Sequence, residues 1–348
     1  MTKVFITGAT GYIGGDALYV IANTYPDLAI TALVRNSDKG AKIAAQYTKI
    51  KLVYGNLDNA DILTEETAKA DITLHFADSD HVAGANAIVA GLAQKQTPGY
   101  LIHTSGTGIL GGADWDNKTF GTLSEKVYDD WDGLGEVTSF PDHWSHRDID
   151  KIVLAASSKN PGNVFTAIVT PPTIYGPGRG PDNQRSHQVP ELTKNTLSRG
   201  KGFHVGDGKN VWHEVHVQDL SNVYLALVTA ARQPGGGKAT WNDEGYYFAE
   251  SGEFVWGDIS KAIAKAAADR KLIASTELDS VSAEEADKFT RKGSYIWGTN
   301  SRGKAIRARK LLGWEPKQKS LVDTIEDLVV REAKALGLAK THQEVASG

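Results

Sequence analysis

The sequence predicts a doubly wound parallel α/β sheet with a smaller C-terminal substrate lobe, on three observations. Short β-branched runs alternate with longer helical patterns through the first half of the chain. A glycine-rich turn, GATGYIG at residues 8–14, joins the first of these runs to the first helical pattern. A Pro/Gly segment, PPTIYGPGRGP at residues 171–181, then interrupts the rhythm. Parallel strands need crossovers of about a dozen residues, and right-handed crossovers in series wind into an open sheet with helices on both faces.

Taken in order, strands are expected at VFIT (4–7), ITALV (30–34), IKLVY (50–54), ITLHF (72–76) and YLIHT (100–104), with helices over 12–23, 39–45 and 82–93. Between Gly106 and Asp142 the pattern gives way to a glycine- and acid-rich stretch holding Trp115 and Trp131, with Trp144 just beyond. It is too long for a simple connection, which marks an ordered loop that carries function. A helix over 143–158 and a strand over 164–169 resume the alternation, and the second lobe starts at the Pro/Gly segment. Residues 212–231 read as a strand and helix returning to the first lobe, and 253–268 and 283–312 as helical segments of the cap. The expected division is residues 1–175 plus 212–249 for dinucleotide binding, and 176–211 plus 250–340 for the substrate lobe, with 341–348 as a frayed tail.

Composition narrows the function classes. Across 348 residues, 41% hydrophobic and 23% charged side chains with a net charge of −4 describe an ordinary folded protein rather than a disordered one. No Lys/Arg run provides an electrostatic footprint for nucleic acid or an anionic membrane surface, so neither is expected as a partner. No stretch of 18 apolar residues runs without a charge or turn former, and residues 3–7 are too short for a signal-peptide core, so the cytoplasm is the expected location. The absence of cysteine removes disulfides, thiolate nucleophiles and zinc-thiolate sites, and no metal site is expected.

The glycine turn carries the most chemistry. Gly8 allows the tight turn, Gly11 lets backbone approach a pyrophosphate, and Gly14 lets the helix pack on the strand, while free N–H groups of the helix hold the anion. Tyr12 and Ile13, between those glycines, join the set expected on a bound dinucleotide. The second strand ends in Arg35-Asn36, where a carboxylate would otherwise accept from a ribose 2′-hydroxyl. An arginine fork suits a 2′-phosphate, which favours NADP(H) over NAD(H). Asp38 could serve the ribose instead, and Arg35 could be a plain surface charge, so this preference stays open.

Several further strings sit beside TGATGYIG: GNLDN (55–59), HFAD (75–78), IHTSGTGILG (102–111), PPTIYGPG (171–178), EVHVQDLSNVYLAL (214–227) and LLGWEP (311–316). With these the chain resembles the extended short-chain dehydrogenase/reductases, the group of nucleotide-sugar epimerases and dehydratases. With arginine after the second strand, it is similar to dihydroflavonol-type and aldehyde reductases. The resemblance puts Leu57, Asp58, Ala77, Pro171 and Thr173 on the cofactor, and His216 and Asp219 in an architectural role.

That group transfers protons through a Tyr-x-x-x-Lys pair and an upstream Ser or Thr, and here the resemblance breaks. Lys151 falls at the lysine, where it would hold the cofactor ribose, but Arg147 falls at the tyrosine. Arginine cannot lose its proton at usable pH, so Arg147 could stabilise an oxyanion or clamp a carboxylate but not donate the proton. The Ser/Thr position falls on Gly106, flanked by Ser105 and Thr107; a register one residue different would restore Ser105. Trp212 stands where nucleotide-sugar enzymes carry an arginine for the diphosphate, which points away from such substrates and toward an apolar or aromatic one.

Candidates for the missing acid are His146, which would share a helix face with Asp150, together with Tyr128, His143, His81 and Tyr175. Arg147 and Lys151, also four apart, need a ligand or acids such as Asp148 and Asp142 between them. The expectation is an NADP(H)-dependent oxidoreductase acting on a small, fairly apolar carbonyl or imine through a nonstandard proton donor. Two other readings stay open: an NmrA-like NADP(H)-sensing regulator without turnover, and a non-redox isomerase or cyclase with a structural cofactor. The resemblance also hints at a homodimer.

Overall fold

The computed structural model describes residues 1–338; the expected tail at 341–348 lies outside the described residues. Seven strands form one sheet, all neighbours parallel: β1 (Lys3–Thr7), β2 (Ala29–Val34), β3 (Lys51–Tyr54), β4 (Ile72–His75), β5 (Gly99–Thr104), then Val164–Thr170 and Tyr246–Phe248. From one edge the order runs Tyr246–Phe248, Val164–Thr170, β5, β4, β1, β2, β3, so the chain reverses direction across the sheet between β1 and β4. In such sheets the crevice beyond the strand C-termini at this reversal is the ligand-binding place.

The first half follows its apolar pattern. Helices α1 (Tyr12–Thr24), α2 (Ser37–Gln46), α3 (Ala60–Lys69) and α4 (Val82–Ala93) form the crossovers. Every residue of β4 and β5 is buried, as a central parallel strand covered on both faces requires. The sequence pattern passed over α3, whose polar surface, ADILTEETAK, buries little beyond Leu63, Glu66 and Thr67.

Further along, the structure differs from expectation. The strand expected to return to the first lobe, Val211–His216, pairs instead with Thr173–Tyr175 and Gly252–Val255 in a separate three-stranded sheet. The strand that does complete the large sheet is Tyr246–Phe248, three consecutive aromatic residues buried to the last atom. The helix that follows, Val217–Ala231, packs against α1 as expected. Residues 253–255, read as helical, are the end of a strand, and the segment 283–312 splits into Ala283–Phe289, Gly293–Gly298 and Arg307–Leu312. The apolar core accordingly falls into two clusters: one around the large sheet, and a second built on Leu192, Phe203, Trp256, Ile263 and Trp297.

Candidate active site

The glycine turn lies at the C-terminal end of β1, and steric room explains its composition. Gly8 has φ +77°, and a Cβ there would meet the Ala77 amide nitrogen at 2.7 Å. A Cβ on Gly14 would stand 2.4 Å from the Gly8 carbonyl oxygen. Gly11 caps α1, whose first N–H groups have no side-chain partner at the cap. A cavity of about 640 Å³ opens over this turn, lined by Gly8, Gly11, Arg35, Leu57, Asp58 and Ala77 among others. A second, of about 280 Å³, shares Gly11, Phe76 and Asn183 with it and continues past Tyr12, Ile13 and Gly14 to Pro172 and Ile174. Together they make one elongated cleft across the reversal of strand order. The cradle that Cβ atoms would fill, with exposed helix N–H groups beneath it, has the chemistry and length to take a dinucleotide with its pyrophosphate on the turn.

Besides Lys151, described below, three residues expected on that ligand sit elsewhere. Asn36 is the cap of α2, its side-chain oxygen accepting from Lys39 N–H at 3.0 Å. Pro171 accepts from Thr107 N–H at 2.9 Å, and Thr173 is fully buried; the cleft is lined by their neighbours Pro172 and Ile174. Alternation along an extended segment turns each side chain away from the next, so a placement one residue off reverses the face.

Sequence reasoning missed Lys39, Asn183 and Gln188, which line the cleft. Asn183 follows the Pro/Gly segment, and the two lie across the turn: its N–H donates to Thr10 O at 3.2 Å, Asp182 is paired with Lys39 and Lys42, and Gly180 packs on Gly15. The glycines and prolines of this segment were the signal for a loop. What it would touch lay about 170 residues upstream.

The residues at the Tyr-x-x-x-Lys positions do not meet at the cleft. Lys151 is exposed, donates to Asp142 Oδ2 at 2.7 Å and lines a surface groove with Val82, Asn86 and Val89 of α4. The helix here is Arg147–Leu154 and turns Ile149, Asp150 and Val153 to the interior, which sends residue 151 outward. Arg147 is buried and its Nε donates to Phe140 O at 3.0 Å, so it is spent on the long loop. Ser105 is buried on the side of Asp150, and Thr107 Oγ1 accepts from Ser301 Oγ at 2.7 Å.

Among the other candidates, His81 caps α4 through Nδ1 and meets Asp58 through Nε2, and His143 sits outside with Asp116. The Tyr175 hydroxyl donates to Lys319 O at 2.7 Å, and burial pushes its pKa up. Tyr128 packs edge-on against Phe140, and burial raises its pKa too.

His146 is placed differently from expectation. It does not share a helix face with Asp150; it is the cap residue before the helix, in the left-handed region at φ +67°. Its Nδ1 lies 2.7 Å from Asp80 Oδ1 and 3.2 Å from Ser79 Oγ, both in the loop after β4. Its Nε2 points to the end of β5, 3.1 Å from where a Cβ on Gly106 would be. Gly106 has extended backbone that any residue adopts, so the glycine there makes room for the imidazole. The same Nε2 lies 3.5 Å from a Cβ position on Gly108, and the Tyr295 ring 3.8 Å from it on another side. Tyr295 donates its hydroxyl to Gly108 O at 2.7 Å and packs against half-exposed Trp115, which also meets Phe120. Trp144 and Trp212 are structural, bonded to Asp116 and Thr299 O respectively.

The fold and the cleft define a doubly wound α/β protein with a glycine-turn ligand site and an extra C-terminal lobe. The chain belongs to the NAD dependent epimerase/dehydratase family, whose model matches residues 139–242. A relative described as oxidase ucsJ, from Acremonium sp, is 39% identical over 345 residues, covering 97% of this chain and 99% of its own. Among solved structures, UDP-glucose 4-epimerase of Thermotoga maritima with UDP-glucose is similar with a TM-score of 0.64 at 17% identity, covering 96% of this chain and 100% of that one. The dTDP-glucose 4,6-dehydratase DesIV of Streptomyces venezuelae, with NAD and TYD bound, gives 0.65 at 18% identity, covering 96% and 97%. At these identities the structural matches speak for the fold. No helix of the described residues is long and apolar enough to cross a membrane.

Proposed function

We propose that the protein is an NADP(H)-dependent oxidoreductase acting on a small, fairly apolar carbonyl or imine. The observation that carries the reading is the cleft over the glycine turn, with Arg35 at its adenosine end. Among the described residues, Arg35 has no carboxylate within ion-pair distance, and Asp38 does not line the cavity. Arg35 lines the cavity beside Lys39, which is paired with Asp182, so an added phosphate on the ribose would meet the Arg35 guanidinium there. The NAD recorded in the DesIV structure and the description of the Acremonium relative as an oxidase support a redox cofactor in this cleft.

The bound cofactor supplies or takes a hydride. The chain's own residues do the rest. The turn and the N-terminus of α1 hold the pyrophosphate, and Phe76, Pro172 and Ile174 wall the inner end with apolar surface that excludes water. Trp115, Phe120 and Tyr295 form an aromatic ledge beside Gly108, where an apolar substrate would lie. Trp212, buried in the second lobe, leaves no cation at the place a nucleotide-sugar diphosphate would need one.

Calorimetric titration tests the cofactor assignment. NADPH is expected to bind more tightly than NADH by tenfold or more, about 1.4 kcal/mol, and Arg35→Ala is expected to erase most of the difference. Equal affinities in the unaltered protein would overturn the role of Arg35. Tight NADPH binding without oxidation of NADPH by any aldehyde, ketone or imine offered would favour a sensor over an enzyme.

A further inference from the structure

One histidine is placed to move a proton beside the cleft's inner wall. The cleft's inner wall is made by Phe76, which follows β4, and Pro172, which follows the strand Val164–Thr170. In the sheet, β5 lies between those two strands, so the chain at Gly106, two residues beyond its end, leaves the sheet between the strands that lead to the two wall residues. That is the place to which His146 Nε2 points. The imidazole is held there from behind by Asp80 and Ser79, and it is mostly buried, with 17% of its side chain exposed. A non-glycine residue at φ +67° is costly and persists only where its surroundings over-determine it, as at functional sites.

We infer that His146 is the general acid–base of this site, that Asp80 positions it, and that the substrate oxygen or nitrogen lies between its Nε2, the backbone of Gly106–Gly108 and the ring of Tyr295. This inference rests on the oxidoreductase reading above. With Nδ1–H donated to Asp80, the free nitrogen is Nε2, and the assignment of roles follows. In reduction, the carbonyl carbon takes the hydride that the reduced nicotinamide cofactor gives up as it is oxidised by two electrons. The C=O π pair moves to oxygen, and that oxygen takes the proton from Nε2–H of the imidazolium, leaving neutral imidazole and an alcohol. In oxidation, neutral Nε2 takes the alcohol proton as the hydride leaves carbon for the oxidised cofactor.

The groups around the ring suit both states. Asp80 is kept ionised, its carboxyl held below the usual range by the His146 hydrogen bond, with Lys292 on its other side. From the helix, Asp150 faces the ring, burial having pushed its carboxyl up to about 6; from β5, His103 faces it, and burial holds His103 neutral. The Tyr295 hydroxyl is donated to the Gly108 carbonyl and burial raises its pKa, so it does not compete for the role.

Asparagine adopts the left-handed backbone more readily than other non-glycine residues, so His146→Asn keeps the fold. The experiment measures NADPH oxidation with benzaldehyde, cyclohexanone and 1-pyrroline by the unaltered protein and by His146→Asn, with NADPH affinity of both by calorimetry. The expected result is a loss of kcat of at least 100-fold in the variant with NADPH affinity within twofold. Nitrogen-15 NMR of labelled histidine should show the His146 Nδ1–H tautomer, mixed in Asp80→Asn. Turnover by the unaltered protein that survives in His146→Asn would overturn the role of His146 and leave the oxidoreductase reading standing. No turnover of any probe by the unaltered protein would overturn both.

Discussion

Asp150 shows how one residue's surroundings, rather than its type, set its behaviour. It was expected on a helix face beside His146; it lies instead fully buried against Tyr246, whose hydroxyl donates to Oδ2 at 3.2 Å, and its Oδ1 has no partner. Burial pushes its pKa up to about 6. Because the folded-state value exceeds the unfolded one, the associated stability is fully present below about pH 4 and is lost as pH rises through about 6. Asp150→Asn removes the buried charge while keeping an acceptor for Tyr246. Chemical denaturation should show the variant gaining on the parent by roughly 2–3 kcal/mol between pH 4 and pH 8. Parallel pH curves for the two proteins would refute this. Lys151, one residue on, is a surface ion pair whose loss should cost less than about 1 kcal/mol.

At the scale of elements, the glycine turn and α1 act as a unit. Gly14 is where the helix backbone crosses the Gly8 carbonyl, and no side-chain movement can relieve a clash between two backbone segments. Gly14→Ala should weaken NADPH binding by tenfold or more in calorimetry and lower stability by about 1–3 kcal/mol in thermal unfolding; wild-type affinity would mean that the turn does not hold the cofactor. These glycines were legible in the sequence because their spacing is local. The helix after the long loop was legible only in part. Its apolar residues marked a helix near residues 143–158, but it starts only at Arg147, after His146 in the left-handed region with its ring bonded to Asp80, 66 residues away.

For the molecule as a whole, the buried carboxylate of Asp16 binds the pieces together. It accepts from Arg179 N at 2.9 Å, Nε at 2.9 Å and Nη2 at 2.8 Å, and from Ser221 Oγ at 2.6 Å. So α1, the segment over the glycine turn and the helix Val217–Ala231 meet at one side chain. Asp16→Ala leaves a partly exposed guanidinium without its partner, and the expected cost is about 2–4 kcal/mol. The same change should weaken NADPH, because Asn183 of that segment lines the cleft. An unaltered melting temperature together with unaltered affinity would show the clasp to be dispensable.

The sheet's class, the glycine turn and the crossover helices α1, α2 and α4 were legible in the sequence, because each is written in residues a few positions apart, by period or turn geometry. Only the assembled fold decided which strand closes the sheet, that Lys151 and Arg147 turn away from the cleft, and that His146 turns toward Gly106 at the end of β5. Those outcomes depend on which side chains compete for the same space and hydrogen bonds after distant segments have met.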